Sequence, residues 1–401
     1  MEYSQLINDE KQYVMQTYGR FGLALDHGKG CYLYDLDGNE YLDLTSGIGV
    51  NCLGHAHEQL TNALQAQVGK LMHVSNLYYT EPMVTAAKML CRSTGMDKAF
   101  FSNSGAEANE AMIKAARKYS QMKYGKDRTK ILTLKNSFHG RTIATLEATG
   151  QDKFHQYFFP FTSGFDYFDI NSMESVKEKA DRNTCAVMLE LIQGESGVRP
   201  LDPGFVKDLE LFCRENDLLL LVDEVQTGIG RTGKLFCYQN YDIHPDIVSM
   251  AKGLGGGVPI GGILCSKKTS SALQAGDHGS TFGANPLAAT SAKTVLSIVD
   301  TSQFLADVQE KGRYFMEQLE TIRSSSIKDV RGIGLMIGIE VDESEISDLI
   351  HACMERNLLV LKAGTNTIRL LPPLIITKDQ IDSAVKTLKE VFENETPVEN
   401  A

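Results

Sequence analysis

The feature that most constrains the fold is a repeated alternation of short apolar runs with amphipathic stretches between residues 61 and 300. The amphipathic stretches have helical length and spacing, as in residues 107–122 and 205–215. Short apolar runs between such helices are typical of parallel strands that are buried on both faces. We therefore predict an α/β protein whose large domain has a mostly parallel sheet flanked by helices. The predicted strands cover residues 99–102, 131–134, 186–191, 218–222, 247–250 and 260–265.

The two ends of the chain are predicted to form a smaller α+β domain. Residues 1–60 include a hairpin with its turn at Asp37-Gly38 and are expected to pack with the C-terminal segment 301–401, while residues 61–300 form the large domain. The pattern in the C-terminal segment predicts, in order, a helix over 304–323, a strand over 330–341, a helix over 345–356, strands over 358–361 and 367–371, and a helix over 378–394.

Composition indicates an acidic globular protein of a reducing compartment. The net charge is −11 and no basic run occurs, which argues against nucleic acid as a partner. The eight cysteines include no C-x-x-C pair, and His55 and His57 have no acidic or cysteine partners nearby, so we predict neither a disulfide scaffold nor a metal site. No signal peptide or membrane-spanning run is apparent, and we expect a cytoplasmic protein without a membrane partner.

Lys252 follows an apolar run and precedes a glycine-rich stretch, in which six of the residues 253–262 are glycine. Few side chains crowd this lysine, so it can be buried and approached closely by a ligand. Burial disfavours the ammonium form and lowers the pKa of a lysine. A neutral lysine amine condenses with aldehydes, as it does in enzymes that use pyridoxal 5'-phosphate (PLP). On this stretch alone, a solvated lysine in a flexible turn is an equal alternative.

Two stretches are candidates for binding a phosphate group. Ser104 and Glu107 have the spacing of a capping box ahead of a long helix, and Gly105 leaves the first backbone N–H groups open to an anion. Thr281 lies in a turn before a helix that starts near Pro286, and it can donate its hydroxyl group. Ordinary helix capping explains both stretches as well, and no P-loop pattern is present.

Three further segments place polar or aromatic residues at or near predicted strands. After one strand, Phe138 can stack on a flat ring and Arg141 can bind a carboxylate through two hydrogen bonds, although a surface loop also explains both. After another strand, Asp223 can pair with a pyridinium nitrogen and Gln226 can reach a ring hydroxyl. Arg369 lies within an apolar strand, where it requires an anionic partner from the protein or a substrate.

The pattern G-x-G-x-x-G at residues 228–233 also matches a dinucleotide-binding fingerprint, with Asp246 as the acidic residue. That fingerprint must lie at the start of a helix, whereas residues 234–245 form a short segment that is rich in aromatic residues and ends in proline. A nicotinamide-dependent oxidoreductase is therefore a weaker alternative. A non-enzymatic protein with such a sheet would not explain why Lys252, Asp223 and Arg369 occur together.

Taken in order along the chain, these motifs resemble those of the class III PLP-dependent aminotransferases of fold type I. The resemblance covers nearly the whole chain, and its motifs are specific as a set. The shared motifs are Ser-Gly-Ala at 104–106, Phe-His-Gly-Arg at 138–141, Asp-Glu-Val-Gln at 223–226, Lys252, Ser-Thr-Phe-Gly at 280–283 and Arg369.

The resemblance implies how the cofactor is held. Lys252 would bind the aldehyde of PLP and shuttle a proton during the reaction, while Asp223 would pair with the ring nitrogen. Gln226 would contact the ring oxygen, and Phe138 would stack on the ring.

The resemblance also implies that two subunits share each site. Gly105 and Ala106 would bind the cofactor phosphate through their backbone N–H groups, with Ser104 beside them. Thr281 would reach the phosphate of the neighbouring subunit's cofactor, which implies an obligate homodimer.

Substrate-binding residues follow from the same resemblance. Arg141 would bind the far carboxylate of the substrate, that is, the one distant from the reacting amine. Arg369 would bind the α-carboxylate of glutamate, and Glu195 would cover Arg369 when the amino donor other than glutamate is bound. Asn76 would line the same pocket.

Within the family, the chain is most similar to members that transfer the δ-amino group of N-acetylornithine to 2-oxoglutarate in arginine biosynthesis. The products are N-acetylglutamate semialdehyde and glutamate. Succinylornithine, succinyldiaminopimelate, ornithine and 4-aminobutyrate remain alternative donors. Gly47 stands where ornithine aminotransferases usually carry a tyrosine, which favours an acylated donor over free ornithine.

Overall fold

The computed structural model describes residues 2–393, and strands and helices alternate through the middle of the chain as the sequence predicts. The strands are β1 (Leu25–Lys29), β2 (Tyr32–Asp35), β3 (Glu40–Asp43), β4 (Lys98–Ser102), β5 (Lys130–Leu134), β6 (Phe165–Phe168), β7 (Thr184–Leu189), β8 (Ile192–Gln193), β9 (Arg199–Pro200), β10 (Leu219–Asp223), β11 (Ile247–Met250), β12 (Gly261–Cys265), β13 (Asp329–Ile333), β14 (Met336–Glu340), β15 (Leu358–Leu359), β16 (Leu361–Ala363) and β17 (Thr367–Leu370). The helices are α1 (Tyr3–Tyr13), α2 (Ser46–Gly49), α3 (Glu58–Val68), α4 (Glu81–Thr94), α5 (Gly105–Tyr124), α6 (Ile143–Ala148), α7 (Met173–Lys179), α8 (Pro203–Glu215), α9 (Pro286–Val299), α10 (Ser302–Leu319), α11 (Ile346–Glu355) and α12 (Lys378–Glu393).

The central sheet has seven strands in the order β4-β12-β11-β10-β7-β5-β6. Strand β12 runs antiparallel to both of its neighbours, and the remaining pairings are parallel. The predicted mostly parallel sheet is therefore confirmed. The predicted strands did not include β6, which is a short strand at the edge of the sheet.

Alternate residues of the central strands pack on opposite faces of the sheet. Leu219 and Leu221 lie in one apolar cluster with residues of α5, whereas Leu220 and Val222 lie in a second cluster with residues of α8. Successive side chains of a strand point to opposite faces, so a continuous aliphatic run requires cover on both. The helices supply that cover, as the sequence predicts.

Two small sheets involve the C-terminal part of the chain. In one, β3 pairs in parallel with β15, which joins the N-terminal strands β1, β2 and β3 to the C-terminal residues. The predicted hairpin around Gly38 is present as β2 and β3. The other sheet is antiparallel, with the order β13-β14-β17-β16.

Two strand predictions in this region were wrong in detail. Residues 330–341 form a hairpin instead of one strand, because Gly334 takes a positive φ of 61° between β13 and β14. Residues 358–361 contribute to two strands that belong to different sheets. The predicted helix over 378–394 is α12, and residue 394 lies outside the described residues. No helix within residues 2–393 is both long enough and apolar enough to cross a membrane.

Candidate active site

The carboxyl ends of the parallel strands surround a cavity of about 430 Å³. These strand ends lie along one edge of the sheet, which is where open parallel sheets bind ligands. The residues from the sequence analysis that line this cavity are Ser104, Gly105, Ala106, Phe138, Arg141, Glu195, Asp223, Gln226 and Lys252.

Lys252 leaves β11 on a short 3-10 turn, Lys252–Gly255, and adopts a positive φ of 42°. A non-glycine residue takes this conformation at an energetic cost, which is typical of functional sites. The side chain is accessible from the cavity and otherwise surrounded by protein. Burial lowers the pKa of Lys252 to about 8, although the nearby Glu195 carboxylate acts in the opposite direction. The amine is therefore nearer to its neutral, nucleophilic form than an ordinary lysine.

Helix α5 begins at the edge of the cavity. Ser104 caps the helix, because its hydroxyl oxygen accepts the N–H of Glu107 at 3.2 Å. The first backbone hydrogen bond of the helix runs from Ala108 to Ser104, so the N–H groups of Gly105 and Ala106 have no intrahelical acceptor. Two open donors at the positive end of the helix dipole can bind an anion such as phosphate.

Asp223 is 4% exposed, and three donors fix its carboxylate. Its Oδ2 accepts a hydrogen bond from Asn109 Nδ2 at 2.7 Å and lies 2.8 Å from His139 Nδ1, while Oδ1 accepts the N–H of Val225 at 2.9 Å. Neither Asn109 nor His139 was a predicted site residue. Asn109 lies one helical turn beyond Gly105, and this spacing on one helix face was the available signal.

Arg369 on β17 is buried against Glu195 beside the cavity. Its Nη1 donates to Glu195 Oε1 at 2.7 Å and to Gln226 Oε1 at 3.1 Å, and Gln226 Nε2 donates to Glu195 at 3.2 Å. Burial alone raises the pKa of Glu195, but the charge and hydrogen bonds of Arg369 lower the net pKa below its ordinary value. Among the described residues, Arg369 Nε has no partner, so the guanidinium retains a donor for a further acceptor.

The loop after β5 carries Phe138 and Arg141. The N–H of Phe138 donates to Glu190 Oε2 at 2.9 Å, and burial raises the pKa of Glu190 to about 7. Glu190 was not a predicted site residue, although its position directly after β7 was a signal that it belongs to the site. Arg141 lies exposed at the rim of the cavity, where its guanidinium makes no hydrogen bond or ion pair with residues 2–393.

Three predicted site residues do not line this cavity: Arg369, which contacts the lining residues Glu195 and Gln226, and also Asn76 and Thr281. Asn76 Nδ2 donates to the carbonyl oxygens of Ser280 and Gly283, at 3.0 Å in each case. It thereby supports the turn that carries Thr281. Thr281 is exposed on this turn and is absent from the lining of its own chain's cavity.

The glycines of residues 228–233 do not open a helix. They precede the 3-10 turn Cys237–Gln239, and the Glu224 carboxylate accepts the N–H groups of Cys237 and Tyr238 at 2.9 and 2.7 Å. A Cβ atom at Gly230 would lie 2.6 Å from Val299, so close packing explains this glycine. The dinucleotide fingerprint therefore lacks the helix N-terminus that it requires.

PLP presents a phosphate, an aldehyde and a ring nitrogen, and this one cavity has a complementary group for each. The N-terminus of α5 can take the phosphate, Lys252 can bind the aldehyde, and Asp223 can pair with the ring nitrogen. Phe138 adds an aromatic ring to the lining of the same cavity. The residues present thus fit the cofactor, and fold and site together define a PLP-dependent enzyme.

Comparisons with known proteins narrow this class. The family model for aminotransferase class III matches residues 13–392. The acetylornithine aminotransferase of Caldanaerobacter subterraneus subsp. tengcongensis is 48% identical over 389 residues, which cover 96% of this chain and 99% of that protein. The chain belongs to the class III aminotransferases, which are PLP-dependent.

Solved structures agree with this assignment. The ornithine aminotransferase of Toxoplasma gondii superimposes with a TM-score of 0.94 at 31% identity, covering 98% of this chain and 95% of that chain. The acetylornithine aminotransferase of Elizabethkingia anophelis superimposes with a TM-score of 0.88 at 31% identity, covering 98% of this chain and 99% of that chain. The protein is thus an aminotransferase that acts on small molecules.

Proposed function

We propose that this aminotransferase transfers the δ-amino group of N-acetylornithine to 2-oxoglutarate, giving N-acetylglutamate semialdehyde and glutamate in arginine biosynthesis. The observation that carries the proposal is the buried contact between Arg369 and Glu195 beside Lys252. Glutamate has a carboxylate next to its reacting amine, whereas N-acetylornithine has none there. A guanidinium that an internal carboxylate can cover or release suits two substrates that differ in this way.

Arg141 is the proposed site for the carboxylate that both substrates share. It lies on the rim of the cavity with its guanidinium donors free of hydrogen bonds to residues 2–393. A planar guanidinium binds a carboxylate through two parallel hydrogen bonds, which fixes the substrate's orientation as well as its position. Arg141 and Arg369 would therefore hold the far and near carboxylates of glutamate respectively.

When bound, PLP supplies an aldehyde and an electron-withdrawing ring that acidify the proton on the carbon bearing the substrate amine. Lys252 Nζ would hold the cofactor aldehyde between turnovers, and the same amine would accept and donate the proton that is moved during the reaction. Its lowered pKa suits this transfer, because the neutral amine is the proton acceptor. Asp223, fixed by Asn109 and His139, would keep the ring nitrogen cationic.

The active unit is proposed to be a homodimer with shared sites. Thr281 is exposed on a turn and does not line its own chain's cavity, so a second chain is the proposed recipient of its hydroxyl group. Large apolar residues are exposed around this turn and the segment that Asn76 ties to it. These exposed residues are Met72, Leu77, Tyr78, Tyr79 and Phe282. An exposed apolar surface of this kind is typical of a protein interface.

We further infer that residues 61–300 form the large domain and that residues 1–60 and 301–401 form the smaller one. The parallel pairing of β3 with β15 supports the association of the two termini. A cytoplasmic location is also proposed, since all eight cysteines are unpaired, as is usual in a reducing compartment.

The proposed function is tested by separating the two half-reactions. Arg369→Ala should slow the half-reaction with glutamate by about 10²–10⁴-fold in kcat/KM, because a charge-assisted pair of hydrogen bonds is lost. The half-reaction with N-acetylornithine should be largely unaffected. Single-turnover absorbance changes, measured with each amino donor separately, give both rates. Arg313→Ala is a control, since this arginine side chain is 72% exposed and lies on α10.

Two outcomes would contradict the proposal. Equal losses in both half-reactions would show that Arg369 does not distinguish the two substrates. A panel of amino donors at a fixed concentration of 2-oxoglutarate identifies the preferred donor. If kcat/KM is higher for ornithine, succinylornithine, succinyldiaminopimelate or 4-aminobutyrate than for N-acetylornithine, that compound is the substrate instead. Free ornithine is the main competitor, given the superposition on the Toxoplasma gondii ornithine aminotransferase.

A further inference from the structure

Arg141 is held by aromatic rings instead of by polar groups. Its guanidinium carbon lies 4.1 Å from the centroid of the Phe154 ring and 5.5 Å from that of Phe138. A cation at this distance from a ring face is attracted by the ring's quadrupole. Such a contact requires no hydrogen-bond acceptor, and the guanidinium makes no hydrogen bond with residues 2–393, so its N–H donors are available to a carboxylate.

Phe154 is itself anchored to the loop that carries Phe138. The two rings meet edge to face, with centroids 6.1 Å apart and an interplanar angle of 78°. Phe154 ends the 3-10 turn Asp152–Phe154, and its N–H donates to the carbonyl oxygen of Gln151. Gln151 Nε2 donates in turn to the carbonyl oxygen of Ser137 at 2.8 Å, within the protein interior. The ring therefore has a fixed position relative to the cavity.

We propose that Phe154 is a positioning residue for Arg141 and thereby contributes to the selection of donors that carry the far carboxylate. The inference rests on the proposed role of Arg141 in binding the far carboxylate. The distance between that carboxylate and the reacting amine must match the distance from Arg141 to Lys252. A guanidinium on a flexible side chain does not define such a distance unless something restrains it, and the Phe154 face supplies the restraint.

The test compares variants that keep or remove the aromatic face. Phe154→Leu retains an apolar side chain without the ring, and it should raise KM for N-acetylornithine by about 3- to 30-fold while kcat changes by less than about twofold. Phe154→Tyr keeps the ring and should restore KM. Phe158→Ala is the matched control, because this exposed aromatic residue of the same loop contacts neither Arg141 nor the cavity.

A donor without the far carboxylate distinguishes positioning from general damage. N-acetyl-1,4-diaminobutane lacks the far carboxylate, so its kcat/KM should be the same in Phe154→Leu and the unmodified enzyme. In a double-mutant cycle, Phe154→Leu should add less than about twofold to the effect of Arg141→Ala. Lys153 also lies near the ring, 4.8 Å from its centroid, and Lys153→Ala should leave KM within about twofold.

The outcomes separate this inference from the function on which it rests. An unchanged KM in Phe154→Leu, together with a raised KM in Arg141→Ala, overturns the inference alone. Equal losses for both donors, or additive effects in the cycle, also overturn it, because Phe154 would then act on folding or through another group. If Arg141→Ala leaves KM unchanged, the proposed role of Arg141 fails and the positioning role fails with it.

Discussion

At the scale of single residues, Lys252 illustrates how burial creates reactivity. With a pKa of about 8, roughly a tenth of these amines are neutral at pH 7, compared with less than about a thousandth for an ordinary lysine. The difference arises because the protein around the amine solvates an ammonium ion poorly. A buried charge of this kind lowers stability, which supports the proposed catalytic role of Lys252.

This shift predicts the pH dependence of cofactor capture. In protein freed of cofactor, the rate at which Lys252 reacts with PLP should rise with pH and level off above about pH 8, because only the neutral amine reacts. An unperturbed lysine would continue to gain rate up to about pH 10.4. Rapid-mixing absorbance measurements give this profile.

Borohydride reduction and peptide mapping then identify the modified residue. The label should fall on Lys252, and Lys252→Ala should take up none while still binding PLP non-covalently. A label on another lysine would refute the assignment.

At the scale of elements, the proposed phosphate site lies at the junction of β4, α5 and β12. Gly261 of β12 packs directly under the carbonyl group of Ser104, so that a Cβ atom there would lie 2.3 Å from the carbonyl oxygen. The N-terminus of α5 follows this carbonyl immediately. Gly261, one of the glycines after Lys252, therefore allows close packing against the start of α5, which is far from it in sequence.

Gly261→Ala should consequently weaken both folding and cofactor binding. Displacing the Ser104 carbonyl should cost about 1–3 kcal/mol of unfolding free energy, the usual cost of overpacking. The dissociation constant for PLP should rise by about tenfold or more, since the N–H groups of Gly105 and Ala106 move with the carbonyl. Urea unfolding and absorbance titration with PLP measure the two effects.

Gly19→Ala is the matched control, because a Cβ atom at Gly19 would meet no atom within 4 Å. It should leave both quantities unchanged. Unchanged values in Gly261→Ala as well would mean that β12 can move away from the helix N-terminus without consequence.

At the scale of the whole molecule, the placement of Thr281 leads to a prediction about hybrid dimers. Lys252→Ala and Thr281→Ala chains should each be impaired alone, since each site is proposed to need Lys252 from one chain and Thr281 from the other. A mixed dimer would contain one site with both defects and one intact site. Mixing the two variants under conditions of subunit exchange should therefore restore activity. Each hybrid dimer should have about half the activity of an unmodified dimer.

Native mass spectrometry establishes whether hybrids have formed. Hybrids that form without any recovery of activity would place Thr281 in its own chain's site. The surface around Met72 and Phe282 gives an independent measurement, since charged substitutions there should yield monomers if it is the dimer interface.

The sequence by itself determined the central sheet and most of the residues at its carboxyl edge. Apolar runs such as 218–222 and 247–250 are long enough and regular enough to be strands, and the residues that follow parallel strands must share one edge. Ser104, Phe138, Asp223 and Lys252 were therefore predictable as neighbours from local patterns. The hairpin within residues 330–341 was missed because a strand-length apolar pattern conceals a two-residue turn at Gly334-Leu335, where Gly334 has a positive φ.

Only the tertiary structure decided which side chains touch. Arg369 meets Glu195 and Gln226 across more than a hundred residues of sequence, and Phe154 lies against Arg141 from a loop with no periodic pattern. Asn76 faces the turn of residues 280–283 instead of the cavity for the same kind of reason. Periodicity reports which face of an element is buried. Contacts between side chains of distant segments depend on how those faces pack in three dimensions, which no local pattern encodes.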